Sequence, residues 1–252
     1  MKNVFLEIEY VGSGYLGSQI QHTSHGALTS RGKTVQSVLE EASAALFRKK
    51  VRIIFAGRTD RGVHAKGQAV NFIIDTPIPL GNIKTALNSF LPRDIRIKTV
   101  KYAPADFHAR FWAKAKHYRY LIHNSKRSSV FWHDRAWNIH APLDIAAMRR
   151  VAGRLTGRKD FKVFAKEVKK YKNTFRRMQR INISKKGSFV VIDMYADGFM
   201  RAMARNLVGF LVKVGTSKLM FEQAYGILKG KVNYSNKPAP AYGLYLWKVM
   251  YK

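Results

Sequence analysis

The chain of 252 residues contains no cysteine. This absence excludes disulfide bridges, thiolate zinc sites and cysteine nucleophiles together, and it gives no sign of an oxidising compartment. Long apolar runs are also missing, so no segment approaches the length of a membrane span. Residues 1–3 lead directly into a strand-like pattern without the apolar core of a signal peptide. We therefore expect a cytoplasmic protein without membrane segments.

Acidic residues are scarce. Asp and Glu total 15 against 46 Lys and Arg, which gives a formal net charge of +31 and a pI near 10.5. Such an excess favours a polyanionic partner, although a solvated basic surface is the other interpretation. The chain also has 12 Tyr and 15 Phe, and aromatic rings stack on unpaired bases while cations pair with phosphates. Composition thus points to nucleic acid.

Hydrophobic periodicity gives the same order of elements twice, β-α-β-β-α-β. In the first half it predicts strands at 4–10, 52–56, 68–73 and 95–102 and helices at 35–46 and 81–91. In the second half it predicts strands at 116–122, 180–184, 189–196 and 244–250 and helices at 143–155, 201–214 and 221–228, with Gly157 ending the first of these helices. We expect an α+β fold of two tandem ferredoxin-like halves, 1–105 and 106–252, with a ligand cleft between them. A single mixed α+β domain is the alternative.

Residues 22–33 are polar, contain glycine and show no periodicity, which predicts a surface loop. The two histidines in this stretch do not have the pattern of metal ligands. We expect no metal site in the chain.

The segment 56–65 has the most unusual composition, because charged residues, glycines and a lone carboxylate lie between two apolar strands. Gly57 and Gly62 let the backbone turn or approach a ligand closely. Asp60 is flanked by Arg58 and Arg61, and nearby cations favour an ionised carboxylate that can act as nucleophile or base. The alternative is that Asp60 only caps a turn or pairs with an arginine to hold the loop.

Residues 57–65 resemble the catalytic signature of the tRNA pseudouridine synthase A (TruA) family, in which Gly-Arg-Thr-Asp is followed by Gly-Val-His-Ala. A second signature of that family, Phe-His-Ala-Arg with Tyr-Arg-Tyr, is matched at 107–110 and 118–120. Further segments resemble the family, in order, at 10–19, 160–161, 173–176, 198–209, 239–241 and 243–246. The resemblance covers nearly the whole chain.

This resemblance implies isomerisation of uridine to pseudouridine at positions thirty-eight to forty of the tRNA anticodon stem-loop, without a cofactor or a metal. The target base would have to leave the stack. The resemblance also implies a homodimer, in which each chain has two ferredoxin-like halves that share a central, mainly antiparallel sheet with a basic cleft. The expected partner is tRNA.

The same resemblance assigns roles to individual residues. Asp60 would attack the uridine, at the ribose C1′ or at C6 of the base, and Arg58 would fill the space that the flipped nucleotide leaves. Tyr118 would stack on the uracil with its hydroxyl near the ribose as a proton acceptor, and Arg205 would pair with Asp60. Residues expected to bind RNA or substrate are Arg61, His64, Gln68, Phe107, His108, Arg110, Arg201 and Leu244, the last as an apolar wall under the base.

Structural alternatives exist for several of these residues. Tyr118 could be a core aromatic of its strand, Leu244 could be an ordinary interior leucine, and Arg205 with Arg201 could form a solvated helix face at i, i+4 spacing. Basic groups at 48–50, 149–150, 169–170 and 176–177 suit phosphate contact, but each could equally be an exposed bystander.

Three positions depart from the family's usual pattern: Ser18 replaces Trp, Arg61 replaces a small residue, and Tyr242 replaces a carboxylate before Gly243. None of them removes a group that the chemistry needs, so an altered substrate range, such as a paralogue acting on another RNA, stays open. Two hypotheses compete with the enzyme: a noncatalytic RNA-binding module, and a ribosome-associated protein that uses its charge alone.

Overall fold

The computed structural model describes residues 1–20, 32–230, 234 and 237–251. The chain folds as two compact units, the first made of Met1–Lys114 with Leu246–Lys252 and the second of Ala115–Tyr245. The strands are β1 Lys2–Tyr10, β2 Ile54–Phe55, β3 His64–Ile74, β4 Ile95–Ala103, β5 Ala115–Asn124, β6 Trp137–Ile139, β7 Gly157–Asp160, β8 Phe175–Lys186, β9 Phe189–Ala196 and β10 Leu244–Met250. The α-helices are α1 Val35–Phe47, α2 Leu80–Phe90, α3 Ile145–Arg154, α4 Met203–Gly215 and α5 Phe221–Leu228.

In the first unit, β1 is a central strand that pairs antiparallel with both β3 and β4. The order is β4-β1-β3-β10, and β2 pairs with β3. Residues Val4, Leu6 and Ile8 are fully buried at alternate positions, as expected for a strand covered on one face. Helix α1 buries Val35, Val38, Leu39, Ala42 and Phe47, the stripe that a helical period requires.

The second unit has the strand order β5-β9-β8-β7 with antiparallel pairing throughout, while β6 pairs parallel with β5. Helix α4 is almost entirely buried, including Leu207, Phe210 and Leu211, which makes it the core helix of this unit. Asp144 caps α3 by accepting a hydrogen bond from the Ala147 amide at 2.9 Å.

The predicted α+β class is confirmed, and the helix at 221–228 and the strands at 189–196 and 244–250 are found with the predicted bounds. Each predicted helix and strand is present, but several bounds were wrong. The strand predicted at 52–56 is reduced to Ile54–Phe55. The division at residues 105 and 106 rests on repeated element order and stays a prediction. The loop predicted at 22–33 lies, apart from its last two residues, outside the described part of the chain.

Three further differences have structural causes. Helix α4 begins at Met203 rather than 201, because Ala202 has the left-handed conformation with φ of 59°. Gly157 does not end α3, which stops at Arg154; Gly157 instead has φ of +92° and begins β7. Strand β8 starts at Phe175 rather than 180 because its first residues pair with β7, a strand that the sequence pattern did not indicate.

No helix in the described ranges is long and apolar enough to cross a membrane.

Candidate active site

Asp60 lies in a tight turn between β2 and β3. The Val63 amide donates to the Asp60 carbonyl at 3.1 Å, and Gly62 within the turn has φ of +80°, a conformation that strongly favours glycine. Gly12 packs closely against the backbone of this turn. A Cβ on Gly12 would lie only 2.0 Å from the Val63 carbonyl oxygen. Glycine at these two positions therefore permits the shape of the turn.

A buried hydrogen-bond network holds the residue before Asp60. The Thr59 amide donates to Ser18 Oγ at 2.8 Å, and the Ser18 amide donates to the Thr59 carbonyl at 3.1 Å. The Thr59 hydroxyl shares a hydrogen bond of 2.8 Å with the hydroxyl of Tyr10, the last residue of β1. Thr59 is thus fixed through its amide, its carbonyl and its side chain, which restricts the position of the adjacent Asp60.

Tyr10 remains a neutral phenol in this network. Burial raises the pKa of Tyr10 to about 12, and the hydrogen bond with Thr59 only partly opposes that shift. A neutral hydroxyl can both donate and accept, so Tyr10 supports the loop without adding a charge next to Asp60.

Gln68 and His64 lie beneath the same loop and are almost completely buried. Gln68 Nε2 donates to the Gly57 carbonyl at 2.9 Å, and His64 Nδ1 accepts from the Gly12 amide at 3.0 Å. Nδ1 therefore carries a lone pair, and the proton of a neutral His64 ring is on Nε2. Both residues brace the loop from inside, and their predicted contacts with RNA stay predictions.

The two arginines of the loop have exposed side chains. Arg58 Nε donates to Gln19 Oε1 at 3.2 Å, which directs the Arg58 side chain across the surface of the first unit. Arg61 follows Asp60 directly. The half-buried carboxylate of Asp60 is therefore flanked by two cationic side chains that reach solvent, an arrangement suited to a phosphodiester.

The Phe-His-Ala-Arg segment is held by two buried asparagines. Asn71 Oδ1 accepts from the Ala109 amide at 2.9 Å, and Asn3 Nδ2 donates to the Phe107 carbonyl at 2.9 Å. Phe107 is buried in an aromatic cluster, with its ring centroid 5.1 Å from that of Tyr251. His108 is half-buried, whereas Arg110 is exposed and available to a ligand.

In the second unit, Tyr118 on β5 is 7% exposed and meets Phe199 edge to face, with ring centroids 4.8 Å apart. Leu244 is 4% exposed at the start of β10, directly after Gly243. A Cβ on Gly243 would lie 2.5 Å from the Tyr120 ring, so only glycine fits there. The burial of Tyr118 and Leu244 agrees equally with a role in the core and with a role in binding the substrate.

Arg205 lies in the first turn of α4 and is fixed by the segment before β10. Its Nε donates to the Ala239 carbonyl at 2.7 Å, and the Ala239 amide donates back to the Arg205 carbonyl at 3.1 Å. Arg201 precedes the helix, and its guanidinium pairs with Glu167. Because Arg205 is half-buried and Arg201 lies outside α4, the two do not form a shared solvated helix face.

The structure thus places Asp60, Arg58 and Arg61 in one loop of the first unit, with His64 and Gln68 of β3 beneath it. Tyr118, Arg201, Arg205 and Leu244 belong to the second unit. The approach of Asp60 to Tyr118 and Arg205 stays a prediction.

Among the residues that the structure describes, no three His, Asp or Glu side chains are grouped as metal ligands would be.

The sequence profile of the tRNA pseudouridine synthase family matches residues 6–112 and 151–252 of this chain. The chain belongs to this family. Its matched regions include the Asp60 loop, α4 and β10, whereas β5 with Tyr118 lies between the two matched regions.

Relatives named tRNA pseudouridine synthase A match over the full length. The protein from Moorella thermoacetica is 39% identical over 98% of both chains, and those from Geobacter sulfurreducens and Acetivibrio thermocellus are each 38% identical over 100% of both chains. A solved structure of a Cbf5-Nop10-Gar1 complex is similar with a TM-score of 0.39 and 11% identity, over 83% of this chain and 45% of that one. That score is too low to bear on the fold.

Sequence reasoning missed the residues that support the family's catalytic loop. Tyr10 and Ser18 form the network under Asp60 with Thr59, yet they precede Thr59 by 49 and 41 positions along the chain. A signal for one of them was available, because Ser18 is a departure from the family pattern. A serine at this fully buried position supplies the hydroxyl that accepts from the Thr59 amide.

Proposed function

We propose that this protein isomerises uridine to pseudouridine in the anticodon stem-loop of tRNA, at positions thirty-eight to forty, with Asp60 as the nucleophile. The observation that carries the proposal is the Asp60 turn. It has the family's signature residues, and hydrogen bonds to Ser18 and Tyr10 fix the residue next to the carboxylate. Full-length relatives that bear the name tRNA pseudouridine synthase A support tRNA as the substrate.

The reaction needs no external reactant, because uridine and pseudouridine contain the same atoms. The bond between N1 of the base and C1′ of the ribose breaks, the base turns, and a bond forms between C5 and C1′. The proton lost from C5 is balanced by the proton gained at N1. Asp60 initiates the sequence by attack at C1′ or at C6 of the base.

The other residues have supporting roles in this proposal. Arg205, whose side chain is fixed by the Ala239 carbonyl, would pair with Asp60. Tyr118 would stack on the flipped uracil, and Arg58 would occupy the space that the nucleotide leaves. Arg61, Arg110 and Arg201 are exposed and would contact phosphates, while Leu244 would line the apolar wall.

Three further features belong to the same proposal. The fold would be a tandem of ferredoxin-like halves, since β1-α1-β2-β3-α2-β4 and β5-α3-β8-β9-α4-β10 repeat one order with β6, β7 and α5 added. The working form would be a homodimer, and the working compartment the cytoplasm. Both of these rest on the resemblance to the family.

Pseudouridine mapping on tRNA and ribosomal RNA, after incubation with the purified protein, tests the function. Asp60→Asn keeps the shape of the side chain but removes its charge, so we expect conversion in the anticodon arm to fall at least about a thousandfold while tRNA binding is kept. The matched control is Asp75→Asn, an exposed carboxylate that follows β3, and it should convert tRNA like the unaltered protein.

Each other result has a definite meaning. Conversion only in ribosomal RNA would keep the chemistry and replace the substrate, in line with the departures at Ser18 and Arg61. Tight RNA binding without conversion, and indifferent to Asp60→Asn, would identify a noncatalytic RNA-binding module instead.

A further inference from the structure

The edge of the sheet in the second unit carries four basic residues in direct cross-strand register. In the pairing of β7 with β8, Arg158 lies opposite Arg177 and Lys159 lies opposite Arg176. We call Arg158, Lys159, Arg176 and Arg177 the basic edge. Side chains in directly opposed positions of an antiparallel pair have Cβ atoms only about 5 Å apart, and like charges there destabilise the pair.

Neighbouring acids do not neutralise this cluster. None of the four side chains forms a salt bridge with any residue in the described ranges. Asp160, the next residue on β7, lies opposite Phe175, and its carboxylate is 3.6 Å from Lys162 Nζ. The Asp197 carboxylate accepts from the backbone amide of Arg177 at 3.1 Å rather than from its guanidinium. The repulsion within the basic edge therefore persists in the folded protein.

The basic edge is also accessible. Arg158, Lys159 and Arg177 are exposed, Arg176 is half-buried, and the Phe175 ring beside them is 48% exposed. Cationic side chains next to an exposed aromatic ring suit a nucleic acid strand, which offers phosphates and unpaired bases together. An acidic protein partner would pair with the charges but would not require the exposed Phe175 ring.

A chain of contacts connects the basic edge to Tyr118 within the same unit. A Cβ on Gly198 would lie 3.5 Å from Arg176 Nε, so the Arg176 side chain runs past the backbone of Gly198. The next residue, Phe199, is the one that meets the Tyr118 ring. Arg176 thus connects the basic edge to the contact between Phe199 and Tyr118, while Arg158 and Arg177, at the alternate positions, lie on the other face of the strand pair together with Phe175.

We propose that the basic edge binds the phosphodiester backbone of the substrate RNA outside the nucleotide that reacts. This inference rests on the proposed function for the identity of the RNA, but not for the binding itself. Repulsion that costs stability in the free protein is relieved when phosphates lie between the opposed cations, and the released counterions make this binding dependent on salt.

A structural explanation of the same charges also exists. Strand β7 ends the strand order of its sheet, and charged side chains on an edge strand prevent pairing with another chain. Edge protection predicts aggregation when the charges are removed, and it predicts no change in RNA binding. Measurements of RNA binding and of aggregation separate the two explanations.

The test compares tRNA binding over a series of KCl concentrations for two double variants. Arg158→Gln with Arg177→Gln removes one opposed pair from the basic edge. Lys185→Gln with Lys186→Gln removes two exposed charges at the other end of β8 and serves as the matched control. For the first variant we expect Kd to rise about tenfold near physiological salt, and the slope of log K against log salt to become shallower by about 1.5. The control should change neither quantity.

Three readouts complete the test. The melting temperature of the basic-edge variant should equal or exceed that of the unaltered protein, because a repulsion has been removed. Replacing both arginines by lysine should restore most of the binding. With saturating tRNA, kcat should be kept while KM rises. Unchanged binding, equal weakening by both double variants, or aggregation of the basic-edge variant with normal binding would overturn the inference.

The two proposals fail in different ways. If the unaltered protein forms no pseudouridine but binds tRNA through the basic edge, the enzymatic function is wrong and the basic edge stands. If it forms pseudouridine and the double variant binds tRNA normally, the proposed RNA binding by the basic edge is wrong and the proposed function is kept.

Discussion

Two buried serines of the first unit differ in what their hydroxyls do. Ser18 Oγ accepts from the Thr59 amide at 2.8 Å, next to Asp60. Ser43 on α1 is 1% exposed, and its Oγ has no hydrogen-bond partner among the described residues. The two positions therefore form a matched pair in which only one hydroxyl supports the Asp60 loop.

We expect Ser18→Ala to reduce the free energy of unfolding by about 1–3 kcal/mol, because it leaves the buried Thr59 amide without its acceptor. It should also lower kcat more than it raises KM, because the Thr59 amide adjoins Asp60 while the proposed phosphate contacts of Arg110, Arg201 and the basic edge lie outside this loop. Urea unfolding and steady-state kinetics measure the two effects.

The control is Ser43→Ala, which removes an unpaired hydroxyl and should leave stability and rate almost unchanged. Equal effects of the two variants would show that Ser18 does not position Asp60.

At the scale of elements, the N-terminus of α1 is hydrogen-bonded to the segment that supports the Asp60 loop. Thr34 and Ser37 form a reciprocal capping box, with hydrogen bonds of 3.0 and 3.1 Å. The first amides of the helix donate outward, Val35 to the Gly17 carbonyl and Gln36 to the Ser18 carbonyl. The start of α1 thus holds the segment that in turn holds Thr59.

Thr34→Ala should cost about 1 kcal/mol of stability, the usual loss when a capping side chain is removed. It should also reduce kcat, because fraying of the first turn loosens the bonds to residues 17 and 18. The control is Asp144→Ala, which removes the cap of α3 in the other unit and should cost similar stability at unchanged kcat. Thermal unfolding combined with turnover at saturating tRNA checks both; a rate loss in the two variants alike would mean that stability, not the loop, is responsible.

The elements also show where periodicity is informative. Long segments with a strong apolar pattern, such as β9, β10 and α1, were predicted with nearly correct bounds, because burial of one face dictates their sequence. Strands β6 and β7 were missed. They have three and four residues, and the Gly-Arg-Lys-Asp sequence of β7 has no apolar alternation. Such strands exist because a neighbouring strand offers hydrogen bonds, and that information is not local.

For the whole molecule, three tyrosines with raised pKa values contribute to the dependence of stability on alkaline pH. Burial raises the pKa of Tyr10, Tyr234 and Tyr245 to about 12, against an ordinary value of 10.0. The folded state therefore keeps these protons in a range where the unfolded chain has lost them. Their contribution is fully present below pH 10 and is lost as pH rises through about 12.

We expect the free energy of unfolding to decrease between about pH 10 and pH 12 through this effect, although loss of lysine charge in the same range relieves repulsion in a chain of net charge +31. Tyr10→Phe isolates the tyrosine contribution, which for a shift of this size is about 3 kcal/mol. Urea unfolding at several pH values should show a shallower decline for the variant than for the unaltered protein. Identical declines would contradict the assigned pKa of Tyr10.

The sequence by itself determined the α+β class, the family and the loop that carries Asp60, because local order and composition express these properties directly. It also indicated an anionic partner through the charge excess. Only the tertiary structure decided which distant side chains support that loop, since Tyr10, Ser18 and Gln68 reach it through the packing of β1, β3 and α1. It likewise decided the register that sets Arg158 opposite Arg177, because strand pairing depends on the rest of the sheet rather than on the four residues of β7.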